Sequence, residues 1–350
     1  MHRPTWAEVD LGAVAENASR LRARLTAGAQ LMAVVKADGY GHGAVPAARA
    51  ALAAGAAWLG VAIAEEAMAL RAAGIAAPIL VLGWTPPEQA QAAIQAGIDL
   101  TVFSLEDAAA YRGGRLHVKV DTGMSRLGFS VDEAPVAMAR LAALPGVEVR
   151  GIFTHFAGSD DDDLSGARRQ LAAFRRALEA LPFRPPVVHA ANTAAIFRLP
   201  EAHFDLGRAG IGLYGYGGPG LRPALRWLTR IAQVREVPPQ TGVSYNWTYV
   251  TQTSETLATL PVGYADGLPR SLSNRGAVRI AGGRAPIRGR VCMDQTVVSL
   301  AEVPGAKPGD PVLLIGDGQW ADDMAALAAT IPYEILCRIG ARVPRIYIGS

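Results

Sequence analysis

The chain has 350 residues, of which half are apolar and 19% are charged, and its formal net charge is +3. This composition excludes a disordered or fibrous protein, and two cysteines are too few for a disulfide framework or a cysteine-rich metal site. The N-terminal stretch has no apolar core and no run is long enough to span a membrane, which predicts a cytoplasmic protein without a membrane partner. The mild basic bias fits a pocket for a small anion as well as nucleic acid. Because the arginines are scattered, we expect no nucleic-acid partner.

Short apolar runs alternate with alanine-rich amphipathic stretches from about residue 12 to 218. A first helix is predicted with Val14, Ala18, Leu21 and Leu25 on its apolar face, because they recur at helical spacing. Eight strand–helix units in about 200 residues favour a (β/α)8 TIM-like barrel, with an open doubly wound sheet as the alternative. The eight candidate strands are Leu31–Val35, Trp58–Ala62, Ile79–Leu82, Leu100–Phe103, Leu116–Val120, Val149–Thr154, Val187–Ala190 and Phe204–Gly207.

The helical pattern largely stops after the glycine-rich GYGGPG at 215–220. Residues 225–315 are rich in Val, Ile, Thr and Tyr and are broken by Pro-Pro and Gly-Gly turns, which predicts a C-terminal, mainly antiparallel β domain. One late helix is predicted around Asp322–Ala329. The fold class is therefore α/β, a barrel followed by a β domain.

GIGLYG at 210–215 matches the dinucleotide pattern G-x-G-x-x-G. A true dinucleotide site needs a helix directly after these glycines, and YGGPGLRP cannot begin one properly, so we reject a nicotinamide cofactor. Glycines after the last barrel strand still offer backbone N–H groups to a phosphate.

Lys36 is one of only three lysines in the chain and lies in AVVKADGYGHG at 33–43. It follows the first predicted strand, at the face where barrel enzymes carry their chemistry. Lysine, unlike arginine, can lose its proton and attack a carbonyl. From position alone, a catalytic lysine and a surface lysine that ends a strand are about equally compatible with the pattern.

AVVKADGYGHG resembles the cofactor-lysine motif of the alanine racemases, enzymes that use pyridoxal 5′-phosphate. Eight further segments resemble the family in its order along the chain: RPTWAEVDLGA at 3–13, HVKVDTGMSRLGF at 117–129, GIFTHFAGSD at 151–160, HAANTAAIF at 189–197, RAGIGLYG at 208–215, VSYNWTY at 243–249, VGYADGLPR at 262–270 and GRVCMDQTVV at 289–298. The resemblance implies a barrel over residues 12–218 and a β domain of residues 1–11 and 219–350.

The resemblance also implies the activity: interconversion of L-alanine and D-alanine for cell-wall peptidoglycan, by two bases on a homodimer with shared active sites. Lys36 resembles the lysine that holds the cofactor covalently and acts as one base, and Tyr245 resembles the second base on the opposite face. His155 and Arg208 resemble the residues behind the tyrosine. Arg208 also resembles the arginine that faces the pyridine nitrogen. Since guanidinium only donates, it should leave that nitrogen unprotonated and weaken the ring as an electron sink.

Other site residues are implied by the same resemblance. Arg126 and Met293 resemble substrate-binding residues, and Lys119 resembles a lysine that is carbamylated in many members, a change that would turn a buried cation into an anion able to pair with Arg126. The remaining cofactor-binding residues implied are Tyr40, His189, Asn192, Thr193, Gly210 and Ile211.

Four positions depart from the usual family pattern. Asn246 and Trp247 replace residues that are often small, which bears on the entrance and the substrate range. Ala209 replaces a usual proline and Ala341 replaces a tyrosine of some members, which bears on cofactor affinity. Two rival functions are less favoured: Arg208 argues against a pyridoxal-phosphate-dependent amino-acid decarboxylase on the same kind of barrel, and residues 225–350 argue against a non-enzymatic cofactor carrier, which would lack the β domain. A racemase of broader specificity on the same fold is a further alternative.

Overall fold

The computed structural model describes residues 3–349. Two compact units make up the chain. One comprises residues 12–39 and 43–222, and the other comprises the N-terminal residues through Leu11, Tyr40–His42 and the chain from Pro223 onward. No helix among the described residues is long and apolar enough to cross a membrane.

The first unit contains an eight-stranded parallel barrel. Each of the first six strands pairs with the next one along the chain, and the first strand also pairs with the eighth. Backbone hydrogen bonds from Asp205 N to Val188 O (3.0 Å) and from Arg208 N to Ala191 O (2.9 Å) join the seventh and eighth. The predicted barrel is confirmed and the open sheet is wrong. Its strands are Gln30–Val34, Trp58–Val61, Ile79–Val81, Asp99–Val102, Gly114–Lys119, Val147–Phe153, Val187–His189 and Leu206–Ala209.

Helices cover the outside of the barrel, so most strand residues are buried on both faces, as is usual for parallel sheets. Alanines let these helices pack closely on the strands. The α-helices of this unit are Leu11–Arg24, Ala44–Ala53, Ala64–Ala72, Pro87–Gln95, Leu105–Tyr111, Ala134–Ala142, Ser165–Glu179 and Thr193–Arg198.

Two local predictions in the barrel need correction. The eighth strand was predicted at Phe204–Gly207 but runs over Leu206–Ala209, because Phe204 has a left-handed backbone (φ 47°) that cannot belong to a strand. This shift places Arg208 on the strand itself. Leu25 lies just beyond the first helix rather than on its face, although its side chain still packs against Gly207.

The second unit is mainly antiparallel, as predicted. Its six-stranded sheet includes the N-terminal strand Trp6–Asp10, which pairs antiparallel with Leu225–Arg230 and parallel with Arg345–Ile348. The other strands are Gln233–Val237, Gly242–Val243, Tyr249–Val250, Glu255–Leu260, Ala277–Ile280, Gly283–Pro286, Thr296–Ser299 and Pro311–Ile315.

Two late helices occur where one was predicted. Ala321–Ala328 matches the prediction, and Pro332–Cys337 was missed. Six residues are less than two turns, which is too short for a helical period to show in the sequence.

Candidate active site

Lys36 follows the first barrel strand by two residues and is half-buried. The chain after it makes a left-handed turn, in which Ala37, Asp38, Gly39 and Tyr40 all have φ between 50° and 62°. Only glycine adopts this conformation readily, and other residues each lose roughly 1–2 kcal/mol in it. Backbone strain of this kind concentrates at functional sites.

Two carboxylates hold this left-handed turn. Glu66 Oε1 accepts a hydrogen bond from Ala37 N at 2.6 Å, and its Oε2 accepts one from Ala62 N at 2.8 Å. Asp38 Oδ1 accepts from Ala44 N at 2.8 Å. Sequence reasoning missed Glu66, because a glutamate in the first turn of a helix is usually explained by the helix dipole alone.

Arg208 lies on the eighth strand with only 4% of its surface exposed. Its Nη1 bonds His189 Nδ1 at 3.0 Å, and its Nη2 bonds His155 Nδ1 at 3.1 Å and the carbonyl oxygens of Thr154 and Ala190. Within the described residues, each of these acceptors is a carbonyl oxygen or an imidazole nitrogen. Burial lowers the pKa of Arg208 to about 9.

The two histidines beside Arg208 are uncharged at neutral pH. Burial, followed by the positive charge of Arg208, lowers the pKa of both His155 and His189 well below the ordinary value. A neutral imidazole has one acceptor nitrogen, and in both rings that nitrogen faces Arg208. The histidines therefore orient the guanidinium without cancelling its charge.

Lys119 is buried, with 7% of its surface exposed. Its Nζ donates to Val120 O at 2.9 Å and lies 5.4 Å from the centre of the Phe153 ring. Burial, followed by the charge of Arg208, lowers its pKa from 10.5 to about 7. Much of this amine is thus unprotonated, and nucleophilic, at neutral pH.

Arg126 is exposed on a loop that Asp121 organises. Asp121 Oδ1 accepts hydrogen bonds from the backbone N–H groups of three successive residues, Gly123, Met124 and Ser125, at 2.9 to 3.1 Å. The charge of Arg126 contributes to lowering the pKa of Lys119. Sequence reasoning missed the role of Asp121, although an Asp before Thr-Gly is a common signal for a turn of this kind.

Thr193, Gly210 and Ile211 meet at the end of the barrel. The backbone N–H groups of Gly210 and Gly212 both lie 3.2 Å from Thr193 Oγ1, and a Cβ at Gly212 would be 2.7 Å from Thr193 Cγ2. Asn192 Oδ1 accepts from Ala195 N at 3.0 Å and so caps the helix that begins at Thr193. Residues 211–214 form a 3-10 turn rather than an α-helix, in agreement with the rejection of the dinucleotide pattern.

Tyr245 and Met293 lie in the second unit and are exposed by 66% and 53%. They line an open cavity of about 800 Å³ together with Ser244 and Trp247. Trp247 covers Gly242, where a Cβ would be 2.5 Å from the indole. The backbone of Ser244, Asn246 and Trp247 is left-handed, with φ of 63°, 59° and 46°.

The predicted site residues therefore fall into two sets. Tyr40, Tyr245 and Met293 belong to the second unit, and Tyr40 is buried there beside Tyr333. The barrel unit contains Lys36, Lys119, Arg126, His155, His189, Asn192, Thr193, Arg208, Gly210 and Ile211.

Comparison with known proteins identifies the family. The model of the alanine racemase N-terminal domain matches residues 9–218, and that of the C-terminal domain matches residues 224–347. The chain belongs to the alanine racemase family. The family resemblance that the motifs indicated is confirmed, and with it the enzyme class, an isomerase.

Individual alanine racemases agree over the full length. The alanine racemase of Desulfovibrio desulfuricans is 47% identical, over 99% of this chain and 98% of the relative. The crystal structure from D-cycloserine-producing Streptomyces lavendulae is 44% identical, covers 100% of this chain and 98% of that one, and gives a TM-score of 0.93. The crystal structure of the Bacillus anthracis alanine racemase with bound L-Ala-P is 39% identical, covers 100% of this chain and 97% of that one, and gives a TM-score of 0.94.

Proposed function

We propose that this protein interconverts L-alanine and D-alanine with pyridoxal 5′-phosphate as its cofactor. The observation that carries the proposal is Arg208, a buried guanidinium bonded to carbonyl oxygens and neutral imidazoles. A donor-only partner for the pyridine nitrogen suits racemisation, whereas a decarboxylase would need an acidic partner there.

The residues at the carboxyl end of the barrel fit this cofactor. Arg208 and Arg126 make the site positive, and Asp121, the carboxylate that opposes their effect on the pKa of Lys119, is occupied by three backbone amides. Thr193 Oγ1 accepts from the Gly210 and Gly212 amides, which leaves its own O–H free to donate to a phosphate. Such a donor-rich cationic site suits an anionic ligand. Tyr40, Asn192 and Ile211 complete the proposed phosphate site, and Lys36 is the proposed covalent attachment.

When bound, pyridoxal 5′-phosphate withdraws electrons from the Cα of the amino acid and so weakens its Cα–H bond. Racemisation then needs a base on each face of that carbon. We assign Lys36 Nζ to one face and Tyr245 Oη to the other, so that one takes the proton while the other returns one. Arg126 and Met293 are assigned to the substrate, and Arg126 pairs with its carboxylate.

Tyr245 carries a further part of the proposal, a homodimer with shared sites. A base with 66% of its surface exposed has little to fix its position or exclude water. We propose that a second copy of the chain covers it, so that each site takes Lys36 from one protomer and Tyr245 from its partner. In this proposal the enzyme works in the cytoplasm and supplies D-alanine for peptidoglycan.

Trp247 bears on a second candidate, a racemase of broader specificity on the same fold. Its indole is 73% exposed at the cavity that Tyr245 lines, in a left-handed backbone. A large side chain in place of a usual small residue changes the shape of the entrance.

A panel of L-amino acids incubated with purified protein tests the function and the range. Alanine should be racemised, and Lys36→Ala should reduce the rate by about 10³-fold or more, because both a base and the cofactor attachment are lost. Lys307→Ala, at an exposed lysine, is the matched control and should retain full activity. Borohydride reduction and peptide mapping should label Lys36; a label on Lys119 or Lys307 would contradict the assignment.

A further inference from the structure

A chain of four side chains crosses the barrel core from Arg208 to Asp99. Arg208 Nη1 lies 3.0 Å from His189 Nδ1, His189 Nε2 lies 3.0 Å from His117 Nδ1, and His117 Nε2 lies 3.4 Å from Asp99 Oδ2. His189, His117 and Asp99 are fully buried. Asp99 begins the fourth strand, so the chain runs towards the end of the barrel opposite the active site.

The groups at the two ends of this chain determine which atom donates and which accepts in each of its hydrogen bonds. Arg208 can only donate, so His189 Nδ1 must accept, which leaves the proton of His189 on Nε2. That proton points at His117 Nδ1, so His117 in turn carries its own proton on Nε2. Asp99, in an ion pair with Arg115 at 2.7 Å, is the acceptor that this last proton requires. The donor at one end, Arg208, and the acceptor at the other end, Asp99, therefore both require His189 and His117 to carry their protons on Nε2.

The surrounding strands are shaped to hold the middle of the chain. Gly151 faces the His117 ring, and a Cβ there would lie 2.3 Å from His117 Nδ1. The pairing of the fifth and sixth barrel strands shifts register at His117. Leu116 pairs with Val149 but His117 pairs with Gly151, so Arg150 is an extra, bulged residue on the sixth strand. Its Nε lies 3.4 Å from Asp99 Oδ2.

Aromatic rings leave the histidines little freedom to rotate. Phe153 stacks on His189 at 4.6 Å between ring centres, and Trp58 meets His117 edge-on at 5.6 Å. Burial lowers the pKa of His117, although the hydrogen bond that His117 donates to Asp99 opposes this. With both rings neutral and fixed, the position of the proton on each ring is the remaining variable.

We propose that Asp99 and His117 are positioning residues for the reaction. They keep His189 in its Nε2–H tautomer, so that His189 accepts from Arg208 and holds the guanidinium charged and aimed at the pyridine nitrogen. This inference rests on the proposed function for its catalytic consequence. The tautomers themselves can be measured without cofactor or substrate.

The first measurement uses the wild-type protein, labelled with ¹⁵N in its six histidines and studied by NMR with and without pyridoxal 5′-phosphate. His117 and His189 should both be neutral with the proton on Nε2. A proton on Nδ1, or a charged ring, at either position would overturn the relay, whether or not the protein racemises alanine.

Asp99→Asn is the sharpest variant, because the geometry determines which way the new amide will face. Arg115 Nε is bonded to Oδ1 at 2.7 Å, much closer than the contacts of His117 Nε2 and Arg150 Nε on Oδ2, both at 3.4 Å, so the amide oxygen should stay with Arg115. The amide NH₂ then faces His117 Nε2 and forces the proton of His117 to Nδ1. His189 Nε2 must then accept from His117, so the proton of His189 moves to Nδ1. There it faces an N–H group of Arg208, and the hydrogen bond between His189 and Arg208 is lost.

Asp266→Asn is the matched control. Asp266 is also fully buried and bonds two arginines, Arg3 and Arg342, but none of its bonded partners in the described chain is a histidine. Loss of a buried carboxylate is thus common to both variants, and only Asp99→Asn should move the ¹⁵N signals of His117 and His189.

The catalytic consequence is measured as the ratio of transamination to racemisation. Asp99→Asn should raise it about tenfold, the change that corresponds to one lost hydrogen bond to a charged group, and His117→Leu should do the same. His117→Gln keeps one donor and one acceptor and should retain the wild-type ratio.

Two outcomes would contradict the proposal. An unchanged ratio in Asp99→Asn, with the protons of both histidines moved to Nδ1, would refute the positioning role. Unchanged tautomers in folded Asp99→Asn would refute the relay. If either variant fails to fold, His117→Gln and the wild-type spectrum decide.

Discussion

The two catalytic candidates lie in different units, and the backbone around each is strained in the same way. Ala37, Asp38 and Tyr40 follow Lys36 with left-handed φ, and residues 244, 246 and 247 do so around Tyr245. These are six of the fourteen non-glycine residues with positive φ in the described chain. Strain therefore concentrates at both proposed bases.

The two regions differ in how deeply their side chains are buried. The barrel side is ordered from within, since Arg208, His189 and Lys119 are each at most 7% exposed and act on one another electrostatically. Tyr245 is 66% exposed, and Trp247 beside it is 73% exposed. The comparison teaches that the barrel side is pre-organised by its own fold, whereas the tyrosine side is open, which is why we propose that a second copy of the chain completes it.

Subunit mixing tests this difference most directly. Lys36→Ala and Tyr245→Phe should each be about 10²-fold or more less active. If the sites are shared, each mixed dimer contains one site with both bases. Since random exchange makes half of the dimers mixed, activity should recover to about a quarter of wild type. A mixture as inactive as its parents would mean that both bases come from one chain.

Arg208→Glu tests the pre-organised side. A carboxylate would let the pyridine nitrogen carry a proton, which makes the ring a stronger electron sink. We expect racemisation to fall by roughly 10²-fold and transamination to rise, with the cofactor still bound. Arg208→Lys keeps the positive charge and should shift the balance less. Unchanged partitioning in the glutamate variant would argue against the role of Arg208.

Lys119 should make stability depend on pH and on bicarbonate. Its folded pKa of about 7 lies below the ordinary 10.5, so between these values the unfolded chain holds a proton that the folded chain lacks. The free energy of unfolding of the unmodified protein should therefore rise with pH across this window. Carbamylation would replace the repelled amine by an anion beside Arg126.

Calorimetry with and without bicarbonate near pH 8 checks this, with an expected gain of about 2–4 °C in Tm if the modification contributes about 1 kcal/mol. Lys119→Met, which can neither titrate nor be carbamylated, should lose both the pH slope and the bicarbonate effect. Carbon-13 NMR with labelled bicarbonate identifies the carbamate directly, and a plain lysine under these conditions would refute it.

Gly151→Ala should lower the free energy of unfolding by about 1–3 kcal/mol, because the new methyl group would overlap the His117 ring. Gly166→Ala is the matched control. Gly166 lies in the helix Ser165–Glu179, and Arg169 is the nearest side chain to its added Cβ, at 3.9 Å. It should gain stability, by up to about 1 kcal/mol, from better helix propensity. Equal effects in denaturant unfolding would contradict a tight fit at His117.

All eight barrel strands could be predicted from the sequence, because each is a short apolar run bounded by turn residues. Local errors arose where tertiary contacts decide the backbone. The eighth strand begins later than predicted because Phe204 is left-handed, and the helix Pro332–Cys337 is too short to show a period. The motifs identified the family, and Lys36 was placed at the correct end of the first strand.

What the sequence by itself determined is local and periodic: apolar spacing, glycine turns and the motifs that name the family. The tertiary structure alone decided which distant groups meet. Glu66 holds the turn after Lys36, Asp121 organises the loop of Arg126, and Asp99 reaches Arg208 through two histidines. None of these pairings leaves a periodic trace, because hydrogen bonds between strands depend on register and burial rather than on spacing along the chain.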